Sequence, residues 1–179
     1  MLGTHPHSTV HDGSPLPRSR VESLLLGSAT VVTGLMAGFF FAYACSVMVG
    51  LARTEDRTFI EAMQWINATV RNAAFGPAFF GALALTVAAA LVTVVRRQPA
   101  RRWVVAAAVL YAGAFFVTMA FAVPLNDQLA AAGPAATLAD PAEVREAYED
   151  PWVVWNLVRT VLNTAALAAL VTALLRHRR

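Results

Sequence analysis

The chain has 179 residues, of which 58% are hydrophobic and only 14% are charged, and its formal net charge is +3. A soluble domain carries about 45–50% apolar and about 25% charged residues. This composition therefore excludes a soluble enzyme, a disordered chain and a disulfide scaffold. The length predicts one domain, and the mean hydropathy of +0.56 indicates an integral membrane protein with the lipid bilayer as its main partner.

The first 20 residues are rich in Pro, His, Ser and Gly and show no apolar periodicity, so we expect a disordered tail over residues 1–20. The three histidines of this tail have no cysteine or carboxylate cluster beside them, and we expect no metal site there. A single four-span membrane domain is then predicted over residues 21–179.

The first membrane span is predicted over about residues 24–51. This apolar stretch of about 28 residues is much longer than the roughly 7–15 residues of a cleaved signal segment, and it predicts a retained transmembrane helix. Small residues recur in it at every fourth position, where they allow close approach of another helix. They are Gly34, Gly38, Ala42, Ser46 and Gly50. Both packing inside the bundle and a homo-oligomer interface remain open for this stripe.

Residues 54–72 differ from the spans, because charged and polar residues alternate with apolar ones at helical spacing. Thr54 is a plausible N-cap, and two acidic residues follow it in the first turn. The pattern predicts an amphipathic helix that lies at the membrane surface or over the mouth of the bundle.

The second and third spans are predicted over about residues 73–95 and 103–123. The loop between them is so short that the two helices must be antiparallel neighbours. Pro124 lacks a backbone N–H and is predicted to end the third helix. A polar loop follows over residues 125–150.

Within this loop, Asp140 and Pro141 are typical of an N-cap followed by Pro at the first helical position, and they predict a short helix to about Tyr148. The fourth span is predicted over about residues 151–175. The predicted fold class is all-α: an integral membrane four-helix bundle with an additional amphipathic helix between the first and second spans.

All basic residues are arginine, and most of them lie beyond the ends of the spans on one side of the four-span arrangement. They are Arg18, Arg20, Arg96, Arg97, Arg101, Arg102, Arg176, Arg178 and Arg179. The positive-inside rule places this side and both termini in the cytoplasm of a multi-pass cell-membrane protein. Residues 125–150 hold six acidic residues and one arginine, a net charge of −5 that fits the outside. Since the arginines mark topology, we expect no nucleic-acid partner.

Polar residues inside a span are costly and therefore mark candidate sites. Trp152, Asn156, Arg159 and Asn163 fall on one stripe of the fourth helix, since their spacing follows the helical period. An arginine costs about 2.5–3.5 kcal/mol at the bilayer centre. Arg159 is therefore expected to face the bundle interior, the alternative being that its long stem reaches the headgroups.

Further polar and aromatic residues are predicted at the same outer mouth of the bundle. Asn126 and Asp127 follow the third span, and Asn67 and Arg71 share one face of the amphipathic helix. Flat aromatic walls with a few directed polar groups suit a planar organic ligand. The predicted walls are Trp65, Trp152, Trp155 and Tyr43. The same aromatic residues also fit an ordinary belt at the membrane boundary.

The sequence lacks several signatures of cofactor chemistry. No His lies within a span, which argues against haem and non-haem iron, and there is no CxxC, GxSxG or P-loop motif. We therefore expect neither a cofactor nor a metal ion. No internal repeat supports a transporter built from inverted halves.

Three stretches carry a family resemblance. They are GLMAGFFFAYACSVMVGLARTEDRTFIEAMQWIN (Gly34–Asn67), VPLN (Val123–Asn126) and PWVVWNLVRT (Pro151–Thr160). They resemble the anthrone oxygenase-like membrane proteins (DUF1772), and with the four-span layout the resemblance covers about residues 24–175. Some members are described as oxidising anthrones to anthraquinones with dioxygen and no obvious cofactor. The resemblance thus implies an oxidoreductase that acts on an anthrone- or quinol-like aromatic.

This chemistry needs a dry aromatic slot, a base and donors for a developing oxyanion. Applied to this sequence, the resemblance implies that Arg159, Asn156 and Asn126 hold the oxyanion, assisted by Arg71. The candidate bases are Asp127, Glu149 and Asp150. The remaining expected substrate contacts are Trp152, Trp155, Asn67 and Tyr43. The alternatives are a non-catalytic membrane protein that binds a lipid, a quinone or a partner, and an accessory subunit that associates through the small-residue stripe.

Overall fold

The computed structural model describes residues 18–177, which are helical throughout apart from short connections and form no strand. In chain order the elements are α1 (Arg18–Ala42), the π-helical segment π1 (Tyr43–Val47), α2 (Met48–Leu51), α3 (Asp56–Thr69), α4 (Phe75–Val95), α5 (Arg101–Val117), the π-helical segment π2 (Thr118–Ala122), α6 (Val123–Ala131), a short 3₁₀ turn (Ala135–Thr137) and α7 (Pro141–His177). Residues 1–17 of the predicted tail lie outside the described residues, and residues 18–20 begin α1.

Four stretches are long and apolar enough to cross a membrane: Arg20–Leu51, Phe75–Val95, Arg101–Ala131 and Pro141–Arg176. The protein is therefore an all-α membrane helical bundle, as the sequence predicts. α1 and α5 each pack against both α4 and α7. The described chain ends lie at one end of the bundle, here called the proximal end, and the opposite end is called the distal end.

Small side chains let the spans approach one another closely. The fully or nearly fully buried alanines of the bundle include Ala29, Ala82, Ala89, Ala107, Ala114, Ala166 and Ala173. Larger residues fill the space between them, and the buried Tyr111 hydroxyl donates a hydrogen bond to the backbone oxygen of Phe79 at 2.9 Å. Arginines cluster at the proximal end, where Arg96 forms an ion pair with Glu22 and Arg176 lies over the Trp103 ring.

The small-residue stripe of the first span faces mainly outward. A Cβ added at Gly34 would contact the Leu167 side chain of α7 at 3.6 Å, but one added at Gly38 or Gly50 would meet nothing within 4 Å. Ala42 and Ser46 are likewise exposed. Only the first position of the stripe therefore serves packing within the bundle.

α3 occupies the predicted amphipathic segment and lies over the distal end, packed on α6 and α7. Its buried face carries Phe59, Ile60 and Met63. The predicted N-cap is displaced by one residue, because Glu55 holds the extended cap position. The Thr54 hydroxyl instead donates to the backbone oxygen of Leu51 at 2.7 Å and closes the end of α2.

Two predicted helix ends are wrong, and both involve proline. Pro124 does not end the third helix, which continues through π2 into α6. Pro151 lies inside α7, so the predicted short helix and the fourth span are one helix of 37 residues. Membrane helices tolerate proline because neighbouring helices and local π-helical turns satisfy the freed backbone groups. The Asp140 cap is present, since its Oδ1 accepts a hydrogen bond from the Glu143 N–H at 3.1 Å.

Candidate functional site

A cavity of about 460 Å³ opens near the distal end, between α1, α3, α4, α7 and the π2–α6 segment. Its volume lies within the range of about 300–1,000 Å³ that is usual for small-molecule sites. Its lining is mostly aromatic and aliphatic. The polar lining residues are Tyr43, Asn67, Arg71, Asn72, Thr118, Asn126, Asn156 and Arg159.

Both π-helical segments border this cavity. π1 begins at Tyr43, and π2 contributes Thr118, Met119 and Ala122 to the lining. A π-helical turn inserts an extra residue and redirects the side chains that follow, and such turns occur frequently at functional sites. The two irregular turns therefore shape opposite walls of the same pocket.

Arg159 faces the interior rather than the membrane surface and is only 4% exposed. Its guanidinium lies over the Phe40 and Trp152 rings, 4.7 and 5.2 Å from their centroids, and its Nη2 donates to Asn156 Oδ1 at 3.3 Å. Its Nε has no hydrogen-bond partner, and no carboxylate of residues 20–176 lies within 4.0 Å of it. A buried positive charge thus faces the cavity without a balancing anion.

Two asparagines of α7 hold this arginine in place. Asn156, 1% exposed, donates from Nδ2 to the backbone oxygen of Phe40 at 3.2 Å, which fixes the Oδ1 that Arg159 uses. Asn163 donates to the backbone oxygen of Arg159 at 2.8 Å and does not line the cavity. Three residues of the predicted polar stripe therefore line the cavity, and the fourth, Asn163, hydrogen-bonds only to the backbone of its own helix.

A second polar cluster closes the distal side of the cavity. Asn67 Nδ2 donates to the Tyr148 hydroxyl at 3.0 Å, and this hydroxyl donates to Asn126 Oδ1 at 2.9 Å. The indole Nε1 of Trp152 donates to the same Asn126 oxygen at 3.0 Å. Three helices, α3, α6 and α7, are joined through these four side chains.

Other predicted site residues lie outside the cavity. Asp127 does not line it and instead pairs with Arg71 at 2.6 Å on the exposed rim. Trp155 stacks on Phe121 with ring centroids 3.9 Å apart, away from the lining. Trp65 is 66% exposed on the outer face of α3. Of the other two candidate bases, Glu149 pairs with Arg145 at 2.6 Å, and Asp150 is exposed.

The cavity has an unbalanced electrostatic character. Its described lining includes two arginines and no Asp, Glu or His; Arg71 is paired with Asp127 at the rim, whereas Arg159 has no such partner among the described residues. No group of three or more His, Cys, Asp or Glu that could hold a metal ion occurs in the described part of the chain. The arrangement suits a planar aromatic that is an anion, or that becomes one, with its oxygen beside Arg159.

The sequence model of the family described as Anthrone oxygenase matches residues 65–169 of this chain, which is more than half of its length. The chain belongs to the anthrone oxygenase family. The matched range contains Asn67, Asn126, Trp152, Asn156 and Arg159. No curated protein and no solved structure matches the chain.

Several cavity residues of this anthrone oxygenase family member are absent from the sequence-based predictions. Phe39, Phe75 and Phe79 form aromatic walls, with Phe75 stacked on Phe79 at 5.6 Å between centroids. Tyr148 does not line the cavity but joins its polar cluster, whereas the sequence predicts it only at the end of a separate short helix. Because α7 is continuous, Tyr148 precedes Trp152 by four residues, and this spacing is the signal that could have identified it.

The Tyr148 hydroxyl provides a first test of the polar cluster. Tyr148→Phe removes the acceptor for Asn67 and one of the two donors to Asn126. Since a lost buried hydrogen bond with an unsatisfied partner costs about 1–3 kcal/mol, we expect the free energy of unfolding to fall by that amount in a denaturant titration. Tyr43→Phe is the control, because the Tyr43 hydroxyl makes no hydrogen bond with the described residues. Equal losses in both variants would contradict the assigned role of Tyr148.

Proposed function

We propose that this membrane protein oxidises an anthrone- or quinol-like aromatic with dioxygen, without a bound cofactor, in the cavity at the distal end. The observation that carries the proposal is Arg159, a buried charge with no carboxylate partner at an aromatic-walled cavity. Family membership supplies the reaction class, since the matching family model is described as Anthrone oxygenase.

The walls fit a flat polycyclic substrate. Phe39, Phe75 and Phe79 present rings from α1 and α4, and Trp152 presents its indole from α7. Offset ring contacts of this kind favour planar aromatic ligands. Dioxygen is small and apolar, so an apolar pocket admits it without specific contacts.

The proposed reaction converts anthrone and one dioxygen into anthraquinone and one water. The anthrone loses a CH₂ proton to give an electron-rich enolate whose oxygen lies at Arg159. The enolate passes one electron to dioxygen, and the resulting radical and superoxide combine into a C–O bond. Protonation of this peroxide, followed by loss of the second C–H proton and cleavage of the O–O bond, releases water and leaves the new carbonyl group.

The protein's part in this sequence is to stabilise the anion. Tyr43, Arg71 and Arg159 are the only titratable residues in the described lining, so no carboxylate or imidazole is placed to remove the proton. A fixed positive charge in a water-poor site stabilises the enolate oxygen and so makes the bound anthrone a stronger carbon acid. The proton then leaves to solvent at the rim, near Arg71 and Asn72.

We further propose that the distal end is extracytoplasmic and that both termini are cytoplasmic in the cell membrane. The support is the distribution of arginine, which is concentrated at the proximal end, and the net charge of −5 over residues 125–150. The cavity would then draw substrate and dioxygen from the outer side of the bilayer.

Filling the cavity tests the proposal. A Cβ at Gly76 would meet nothing within 4 Å because this residue borders the cavity. Gly76→Leu should reduce oxygen uptake and quinone formation by about tenfold or more in nanodiscs supplied with anthrone, since the side chain occupies the substrate's space. A no-protein sample measures autoxidation.

Gly81→Leu is the matched control. Gly81 lies on the same helix, also has no atom within 4 Å of an added Cβ, and does not line the cavity. We expect its activity to equal that of the wild type. Equal activity in the two variants, or wild-type uptake no faster than autoxidation, contradicts the proposed reaction in this cavity.

One observation favours a second candidate function, a non-catalytic protein that binds a quinone or lipid. The described cavity lining carries no acidic or imidazole group, which binding does not require but proton abstraction commonly uses. Saturable binding of anthraquinone without oxygen consumption by the anthrone-supplied protein would establish this alternative.

A further inference from the structure

A lipid-facing groove lies directly beside the cavity, between α1 and α4 and below the end of α3. Its volume is about 450 Å³. Six residues line both the groove and the cavity: Phe39, Tyr43, Ile66, Val70, Asn72 and Phe75. One layer of side chains therefore separates the two spaces.

This layer consists largely of half-buried aromatic rings. Phe39 of α1 contacts Phe75 of α4 with ring centroids 5.0 Å apart, and it contacts Tyr43 at 5.0 Å. None of these rings is locked by a hydrogen bond to a described residue. Side chains of exposed residues change rotamer on the picosecond-to-nanosecond timescale, and a rotamer change of these half-buried rings requires no movement of a helix.

The rest of the groove faces the hydrocarbon region of the bilayer. Leu35 is 63% exposed, and Met36 and Ala78 continue the apolar lining toward the membrane interior. The groove has no charged side chain in its described lining, and its polar residues are Tyr43, Thr69 and Asn72, of which the last two lie at the distal rim. Such a surface suits a flat, uncharged molecule dissolved in lipid.

We propose that the ligand reaches the cavity from the bilayer through this groove and that the Phe39–Phe75 pair is the gate. The inference rests on the proposed function for the identity of the ligand, a neutral and membrane-dissolved planar aromatic that ionises only beside Arg159. It adds the substrate's source, its charge on entry and the residues that control its passage.

The experiment measures binding kinetics and not turnover. Nanodiscs that hold the protein are mixed with lipid vesicles that contain 1,8-dihydroxyanthraquinone, and the fluorescence of the probe is followed in a stopped-flow instrument. Ala78 lines the groove and does not line the cavity, so Ala78→Phe adds a ring to the groove alone. We expect the association and dissociation rates to fall together by about tenfold with Kd unchanged, because a blocked route slows both directions equally.

Matched variants separate blockage from loss of structure. Ala84→Phe places the same ring on an exposed position of the same helix, outside both spaces. Leu35→Trp is a second blocking variant, and its control is Val31→Trp, one turn earlier on α1 and 64% exposed. Both blocking variants should bind and release the probe slowly, and both controls should do so at the wild-type rates.

The outcomes distinguish this inference from the proposed function. Wild-type rates in Ala78→Phe and Leu35→Trp, or a weaker Kd without slower rates, overturn the lipid route even if anthrone is oxidised. Slow exchange in both blocking variants supports the route even if the protein consumes no oxygen. Failure of the wild type to bind the probe overturns both proposals.

Discussion

Replacing Arg159 with methionine should abolish oxygen uptake while leaving the bundle as stable as the wild type or more stable. Removing one preorganised donor from an oxyanion site typically costs about 10²–10³ in kcat. Arg159 is the only arginine in the described chain that is buried beside the cavity, so no neighbour replaces it.

The free energy of unfolding should stay the same or rise in Arg159→Met, because a buried charge carries a desolvation penalty that a partner normally offsets. Arg159 has one hydrogen bond to an amide and two ring contacts but no carboxylate partner among the described residues. Replacing a buried ion pair by apolar residues of similar volume is often neutral or stabilising by about 1–4 kcal/mol, and a buried charge without a carboxylate partner carries the same kind of desolvation penalty. Oxygen uptake would therefore be lost without a loss of stability, a result that a purely structural role for Arg159 does not predict.

The measurement combines oxygen uptake by nanodiscs supplied with anthrone and a denaturant titration of the same samples. Arg53→Met is the control, because Arg53 is exposed and does not line the cavity. A surface substitution of this kind changes stability little, and we expect activity to remain within about threefold of the wild type. Unchanged turnover in Arg159→Met, or equal loss in both variants, would remove Arg159 from the reaction.

The four spans could be predicted because their signals are local and strong. Each is an apolar stretch of sufficient length, and arginines mark the turns at the proximal end. The predicted helix ends at Pro124 and Pro151 are wrong, because proline ends soluble helices more often than membrane helices. There π2 precedes the first proline, and the packed pair Tyr148 and Trp152 flanks the second, with ring centroids 6.4 Å apart.

The candidate site was predictable where one helix alone determines it. Arg159 and Asn156 follow from the cost of polar groups inside a span, and the structure brings both to the cavity. Residues whose direction depends on an irregular turn were not predictable. Asp127 lies after π2, which shifts the register of the helix, and it points to the rim. The aromatic wall from Phe75 depends on how α4 packs against α1, which no local pattern specifies.

The second large effect is expected at Arg145, which ties α3 to α7. Its guanidinium donates to Asp56 Oδ1 at 2.9 Å, to Glu149 Oε2 at 2.6 Å and to two backbone oxygens of the turn that follows the first span. It also lies 4.5 Å from the centroid of the buried Phe59 ring. One side chain thus joins the start of α3, the preceding turn and α7.

Arg145→Met leaves two carboxylates and two carbonyl groups without this donor. Breaking a buried ion pair costs about 3–5 kcal/mol, and because Asp56 is partly exposed we expect a loss of about 2–3 kcal/mol in the free energy of unfolding. Hydrogen–deuterium exchange should accelerate over Asp56–Thr69, while the amides of Phe75–Val95 keep their protection.

Arg57→Met is the control, since Arg57 is also an arginine that anchors α3 but lies on α3 itself and donates to backbone oxygens of Ala135 and Leu138 at a more exposed position. This variant should lower the free energy of unfolding by less and leave exchange near the start of α3 unchanged.

Because Ile66, Asn67 and Val70 of α3 line the cavity, loosening α3 in Arg145→Met should also weaken the binding of 1,8-dihydroxyanthraquinone. Faster exchange of α3 with an unchanged Kd for the probe would contradict this prediction. The residues of α3 would then contribute nothing to binding, and the affinity would come from α1, α4 and α7.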